Sequence, residues 1–178
     1  KYVIYNYLEK LWYYGTIERT AWYDSHIKTY PLATSYDPAT ELGRLFYHEF
    51  GTDDGSTNPV SAINAYIESA DFDIGDGHNF GFVWRILPDV NFNGSTTNNP
   101  EVTMTVRPRV NSGTPYGVAD NPRVISNQNY TSVPEYTVQQ FTGQVYTRLR
   151  GRQMAFRIES GDLGVAWQLG SPRIDIRQ

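Results

Sequence analysis

The stretch that decides the fold class is Gln144-Val-Tyr-Thr-Arg-Leu-Arg-Gly-Arg-Gln-Met-Ala-Phe-Arg-Ile-Glu-Ser160, near the end of the chain. Apolar and polar side chains alternate in both halves of it, and this period of two is typical of β-strands. It predicts one strand over Gln144–Leu149 and a second over Met154–Ser160. No helical periodicity of comparable length competes with these strands, so the stretch favours an all-β fold.

Arginines concentrate in this same stretch. In an extended strand Arg148, Arg150 and Arg152 share one face, and Arg157 follows in the next strand. A planar guanidinium group pairs well with carboxylates and with phosphates. Three interpretations are open: a solvated strand face, an ion-pair ladder between subunits, and a DNA contact. DNA ranks last because the chain has 19 acidic residues against 15 basic ones, for a net charge of −4.

Strand signals recur along the rest of the chain, and no segment shows sustained helical periodicity. Two runs separated by Glu9-Lys10 predict a hairpin, and Pro31 suggests an edge strand or a bulge. Asn111 to Pro134 is rich in Asn, Gly, Ser and Pro and predicts a long interaction loop. The other predicted strands are Lys1–Leu8, Leu11–Ile17, Thr20–Tyr23, Lys28–Ala33, Gly43–Phe50, Ser61–Ser69, Phe80–Val90, Val102–Arg107 and Val165–Ile176.

The spacing of these strands predicts two domains. Four short strands within roughly the first 50 residues are typical of one propeller blade, so residues 1–55 are predicted to be the C-terminal part of a larger propeller-type β domain. Residues 56–178 are predicted to form a β-sandwich-like platform. Because both ends of the sequence read as strand interiors, we expect a piece of a longer polypeptide.

The motifs of catalysis and metal binding are incomplete. With no cysteine, thiol nucleophiles, disulfides and zinc–thiolate sites are excluded. His48-Glu49 begins like a zinc-protease motif, but Thr52 stands where the second histidine is required, and His26 and His78 are far away in sequence. No Gly-x-Ser-x-Gly nucleophile motif occurs. We therefore expect no catalytic residues, no metal and no cofactor.

Carboxylates near the middle of the chain need separate consideration. Asp71-Phe-Asp-Ile-Gly-Asp-Gly77 resembles a calcium loop, but its glycine is misplaced and no glutamate follows at the twelfth position. A turn that makes local backbone hydrogen bonds is the preferred interpretation. Asp53-Asp54, and Glu68 with Asp71, are candidate carboxylate pairs of a hydrolase, although surface carboxylates are common.

Aromatic residues make up 15% of the chain, with 14 Tyr, 8 Phe and 4 Trp. Such side chains suit protein interfaces, and their faces also stack on sugars, which keeps a carbohydrate-binding or receptor-binding module as an alternative. No apolar run approaches the roughly 20 residues that a membrane-spanning helix needs.

Several stretches together resemble a known family, the tail nozzle or hub proteins of short-tailed bacteriophages, in their C-terminal region. This group includes the packaged-DNA stabilization proteins. The similar stretches are Tyr2-Val-Ile-Tyr-Asn-Tyr7 with Leu11-Trp12 and Arg19-Thr-Ala-Trp22, Ile67–Gly77, Arg150–Ser160 and Trp167–Arg177, of which the last two are the more specific.

The resemblance implies a propeller-type domain that leads into a β platform, without catalysis. It implies a virion tail protein, assembled in the host cytoplasm, whose homo-oligomeric ring we expect to be a hexamer. Such a ring would contact other tail or adaptor proteins, let double-stranded DNA pass, and help to retain or eject the genome. Arg148, Arg150, Arg152 and Arg157 are then candidate subunit-interface or DNA-facing residues.

Overall fold

The computed structural model describes residues 1–74, 77–114, 116–117 and 133–177. These residues form only β-strands, turns and irregular segments, arranged in several antiparallel sheets, none of which closes into a barrel. The predicted all-β class is therefore confirmed. No helix that could cross a membrane is found in the described part of the chain.

Two compact units divide the chain, the first covering Lys1–Gly51 and the second Thr52–Gln178. The sequence had suggested a division after residue 55. The Gly51 backbone takes a positive φ of 78°, in the left-handed region that glycine adopts without steric cost. A turn at this point separates the two units along the chain.

The first unit begins with a hairpin of β1 (Tyr2–Asn6) and β2 (Leu11–Gly15), which confirms the predicted pairing. Its connection is longer than the expected two residues. The Asn6 side-chain oxygen accepts hydrogen bonds from the backbone N–H groups of Leu8 and Glu9, at 3.1 and 3.2 Å. This local capping closes the turn.

A three-stranded meander completes the first unit, with β3 (Ala21–Tyr23), β4 (Leu32–Asp37) and β5 (Leu42–Tyr47) in that order. The expectation that Pro31 marks an edge strand or a bulge is wrong. Pro31 lies just before β4, the central strand, where its carbonyl accepts a hydrogen bond from the His48 N–H at 2.8 Å and its missing N–H costs no sheet hydrogen bond.

The first unit has almost no core of its own. Only Pro31 and Ala33 are buried, and every residue of β1 and β2 is exposed or half-buried. Twenty large apolar or aromatic side chains of residues 1–51 are exposed, among them Trp12 at 68% and Tyr14 at 85%. An isolated two-stranded hairpin is marginally stable in water.

The second unit contains twelve strands among its described residues. In chain order they are β6 (Asp53–Asp54), β7 (Ser61–Ala62), β8 (Ala65–Glu68), β9 (Phe72–Asp73), β10 (Gly81–Leu87), β11 (Val90–Asn91), β12 (Glu101–Arg109), β13 (Glu135–Gln139), β14 (Val145–Gly151), β15 (Gln153–Ser160), β16 (Gln168–Leu169) and β17 (Arg173–Arg177).

Two sheets dominate this unit. The large sheet has the order β13-β12-β15-β8, with β9 also paired to β15, and the small sheet has the order β14-β10-β17. The remaining short strands pair as β6 with β7 and β11 with β16. All of these pairs are antiparallel.

The core of the second unit lies between the two sheets. The small sheet contributes Val83 and Leu149, and the large sheet contributes Met104, Met154 and Ile158, all of which are at most 4% exposed. Along β14 buried side chains alternate with exposed ones, and along β12 the alternation is broken only at Thr105, which is also buried. The inner face of each sheet is thus largely apolar, and the outer faces carry most of the charged side chains.

A β-bulge adapts β10 to this core. Val83 and Ile86 are both buried although they are three residues apart, a spacing that a regular strand would place on opposite faces. Between Val83 and Arg85 the register shifts against both neighbouring strands, since β10 has one residue more than β17 and one fewer than β14 there, and this irregularity returns Ile86 to the core.

Three predicted strands are interrupted. The strand over Phe80–Val90 ends at Leu87, because Pro88 has no N–H to donate and Asp89 takes a positive φ of 49°. The expected strand over Ser61–Ser69 is split into β7 and β8, and that over Val165–Ile176 into β16 and β17. Most of the predicted loop between Asn111 and Pro134 lies outside the described residues.

Candidate functional site

Five arginines lie on the outer face of the small sheet, and we call this surface the arginine face. It consists of Arg85 on β10, Arg148 and Arg150 on β14, and Arg173 and Arg177 on β17. Each of the outer strands places its arginines two or four residues apart, so they share one side of the pleat. The alternate residues of β14 point to the opposite side of the strand and are buried; they are Val145, Thr147 and Leu149.

Aromatic rings lie among these arginines. The Trp84 ring has the guanidinium groups of Arg85 and Arg177 at 4.6 and 5.0 Å from its centroid. The Arg150 guanidinium lies 5.0 Å from the centroid of Phe80. Cation–π contacts at exposed sites contribute about 0.5–1 kcal/mol each, so they favour these positions of the guanidinium groups.

The charge of this face is poorly neutralised within the chain. Asp175 is its one carboxylate, and it is hydrogen-bonded to Arg85 through both Nε and a terminal nitrogen. Arg148 is exposed and makes no hydrogen bond or ion pair to any described residue. Five arginines against one carboxylate leave a formal charge of +4 on a chain whose net charge is −4.

Arg152 lies beside the arginine face instead of on it. It follows the last residue of β14, at the bend that leads into β15. Its terminal nitrogen donates to Asn111 Oδ1 at 2.6 Å, and its guanidinium lies 4.7 Å from the centroid of Phe80. The structure therefore brings Arg150 and Arg152 to the same aromatic ring, with Arg148 farther along the strand.

Arg157 belongs to the other sheet and has partners of its own. On β15 it donates to Glu159 Oε2 at 2.6 and 2.9 Å and to Glu68 Oε2 at 3.1 Å, and it lies 4.0 Å from the centroid of Tyr66. The hydrogen bonds to Glu159 and then to Glu68 raise the pKa of Arg157. It is thus part of an ion-pair ladder within one chain.

This ladder continues along the outer face of the large sheet. Arg107 donates to Glu68 at 2.9 Å, and Arg109 forms an ion pair with Asp71. Tyr116 donates its hydroxyl to Asp71 at 2.9 Å, and this hydrogen bond, followed by burial, raises the pKa of Tyr116. The arginines of the large sheet therefore each have a carboxylate partner, in contrast to Arg148 and Arg150.

At one end of the same outer face lies a groove of about 530 Å³, which we call the acidic groove. Its charged lining residues are Glu101, Glu159 and Asp162, with no basic residue among them. Gln139 donates to Glu101 at 2.9 Å, and Asp162 is exposed without a hydrogen bond or ion pair to the described residues. The remaining lining residues are Ala62, Asn64, Thr103, Ser160 and Gly161.

The residues considered for metal binding or catalysis have other contacts. His48 accepts a hydrogen bond from Arg19 at 2.9 Å on Nε2, and its ring contacts that of Trp22 at a tilt of 46°, with the centroids 4.8 Å apart. Asp73 accepts from Gln153 at 2.8 Å, and Asp76 lies outside the described residues. No group of three or more histidine or acidic side chains suited to a metal ion occurs within the described ranges.

Sequence reasoning missed part of the arginine face. Arg85, Arg173 and Arg177 were not selected, although Arg173-Ile-Asp-Ile-Arg177 alternates with a period of two that places its charges on one side. This alternation is visible in the sequence. That it belongs to the same surface as Arg148 and Arg150 depends on the sheet order β14-β10-β17, which the sequence does not reveal.

Comparisons with known proteins do not identify a family. No protein-family model matches the chain, and no curated protein is significantly similar to it.

Proposed function

We propose that this chain is a structural, non-catalytic subunit of a homo-oligomeric ring in a virion tail. The ring, a hexamer in this proposal, forms the nozzle or hub of a short tail. Double-stranded DNA passes through it, and it helps to retain or eject the packaged genome together with neighbouring tail or adaptor proteins.

The observation that carries the proposal is the exposed apolar surface of the first unit. Twenty large apolar or aromatic side chains are exposed within residues 1–51, and only Pro31 and Ala33 are buried there. Monomeric soluble proteins rarely expose contiguous apolar patches of more than a few hundred Å². Such a surface is expected to be covered by other polypeptide, and in this proposal the rest of the propeller-type domain and the neighbouring subunits of the ring cover it.

The finer architecture is part of the proposal. The hairpin and the three-stranded meander of the first unit supply the short antiparallel strands of a propeller-type domain. The two sheets of the second unit, which share one hydrophobic core, supply a sandwich-like platform. The resemblance to tail nozzle and hub proteins implies the same order of domains and supports this part of the proposal.

Mass photometry combined with negative-stain electron microscopy of the purified chain tests this proposal. We expect a concentration-dependent oligomer that shows a central opening. A chain that is monomeric at every concentration, and antibodies that find no copy in purified virus particles, would overturn the assignment.

A carbohydrate-binding or receptor-binding module of a phage tail is the second candidate. Trp12 is 68% exposed and lies 4.5 Å from the Tyr5 ring, which provides an aromatic platform of the kind that sugars stack on. Screening on a glycan array, with Trp12→Ala as the control, separates this candidate from the first. Absence of any glycan ligand excludes it.

A further inference from the structure

The arginine face and the acidic groove lie on opposite sides of the second unit. The arginine face is the outer face of the small sheet, and the acidic groove opens on the outer face of the large sheet, at Glu101 and Glu159. Because the inner faces of both sheets contribute to the same core, their outer faces point away from each other. One side of the second unit therefore carries an excess of positive charge, and the opposite side carries an excess of negative charge.

The two surfaces are complementary in charge. The arginine face has five guanidinium groups and one carboxylate, Asp175. Of the three carboxylates that line the groove, Glu159 is paired with Arg157, which leaves Glu101 and Asp162 without a cationic partner among the described residues. Arg148 on one side and Asp162 on the other have no charged partner among the described residues.

We propose that the occupant of each surface is a second copy of this chain, bound head to tail, with the arginine face of one copy on the acidic groove of the next. This inference rests on the proposed ring and names the surfaces that would join its subunits. A contact between two different patches is heterologous, so it generates a ring whenever the rotation between copies closes.

The composition of the arginine face favours protein over DNA as its partner. Trp84, Phe82 and Tyr146 are interspersed with the arginines, and aromatic residues and arginine are the types enriched in protein interfaces. A DNA surface would leave the acidic groove without a role and would face repulsion between phosphates and a chain of net charge −4. A second copy of the chain supplies groups of opposite charge to both surfaces.

Two neutralising double variants test the contact. Arg148→Gln with Arg150→Gln removes charge from the arginine face, and Glu101→Gln with Asp162→Asn removes it from the acidic groove. The matched control, Arg148→Lys with Arg150→Lys, keeps both positive charges at the same positions on β14. Sedimentation velocity over a concentration series measures association, and circular dichroism verifies that each variant is folded.

We expect each double variant to raise the dissociation constant by about tenfold or more, since loss of close interfacial charge pairs costs more than 1.4 kcal/mol. The lysine control should associate like the unmodified chain, and salt should weaken all association. In an equimolar mixture, the intact arginine face of the groove variant can bind only the intact groove of the arginine variant. The mixture should therefore form 1:1 dimers and no larger species.

The outcomes separate this inference from the proposed function. Rings that form equally well from both double variants overturn the head-to-tail contact and leave the ring proposal standing. An unmodified chain that stays monomeric overturns both. If the arginine variant loses binding to a double-stranded DNA fragment while it associates normally, DNA is the partner of this face and the inference is wrong.

Discussion

Arg148 and Arg157 have the same side chain, and their surroundings give them different roles. Arg157 is half-buried and bonded to Glu159 and Glu68, so its charge is used within the fold. Arg148 is exposed on the small sheet without a partner among the described residues. A guanidinium group that is already paired has few free donors and little unneutralised charge for a second molecule. An unpaired guanidinium group can form charge-assisted hydrogen bonds with that molecule.

His48 provides a pH-dependent contact in the first unit. Burial lowers its pKa, the charge of Arg19 lowers it further, and Glu49 opposes the shift. Since Nε2 accepts a hydrogen bond from Arg19, the neutral imidazole is the form that the fold stabilises. A lowered folded-state pKa means that this stabilisation is present above the unfolded value of about 6.5 and is lost as pH falls through the folded value.

We therefore expect the His48 ring protons to titrate below the usual histidine range in an NMR experiment. Arg19→Met keeps the length of the side chain but removes the charge and the donor, so it should raise the pKa of His48. The fluorescence of Trp22, whose ring lies 4.8 Å from that of His48, should report the same transition. A His48 pKa that does not respond to the Arg19 substitution would contradict the contact.

At the scale of elements, Gly151 joins the two major sheets. It ends β14 in the small sheet, and two residues later the chain enters β15 in the large sheet. A Cβ at this position would lie 2.9 Å from the backbone oxygen of Arg109 and 3.0 Å from that of Gln153. Both obstacles are backbone atoms of strands, so neither can move aside easily.

Gly151→Ala should destabilise the protein by about 1–3 kcal/mol, the usual cost of overpacking. Gly143→Ala is the matched control, because no atom lies within 4 Å of the added carbon in the turn before β14. That change should stay within about 0.5 kcal/mol of the unmodified chain. Urea unfolding followed by fluorescence measures both, and equal midpoints for the two variants would refute the close approach.

At the scale of the whole molecule, the two units differ in how much they bury. The second unit has an apolar core that includes Val83, Met154 and Ile158, each fully buried. The first unit buries only Pro31 and Ala33. Local stability follows buried apolar contact, so the units should open with very different free energies.

Hydrogen exchange should reveal this difference. In the dissociated chain, amides of β1 and β2 should exchange with opening free energies near zero, and those of β12 and β15 with values near the global stability of about 5–15 kcal/mol. Assembly should increase protection of β1 and β2, since their exposed side chains become covered. Strong protection of the hairpin in the dissociated chain would argue against an assembly-dependent first unit.

The sequence by itself determined the features that depend on neighbours along the chain. Alternation with a period of two predicted the all-β class, the β1–β2 hairpin and the shared face of Arg148 and Arg150, because successive side chains of any extended strand point to opposite sides. These predictions needed no knowledge of which strand lies beside which.

Tertiary structure alone decided which strands became neighbours. Pairing of β17 with β10 added Arg173 and Arg177 to the arginine face, and the bend after Gly151 sent Arg157 to the other sheet. The acidic groove is lined by both Glu101 and Glu159, which lie far apart in the sequence. Such contacts depend on long-range packing of side chains into one core, a property that no local periodicity encodes.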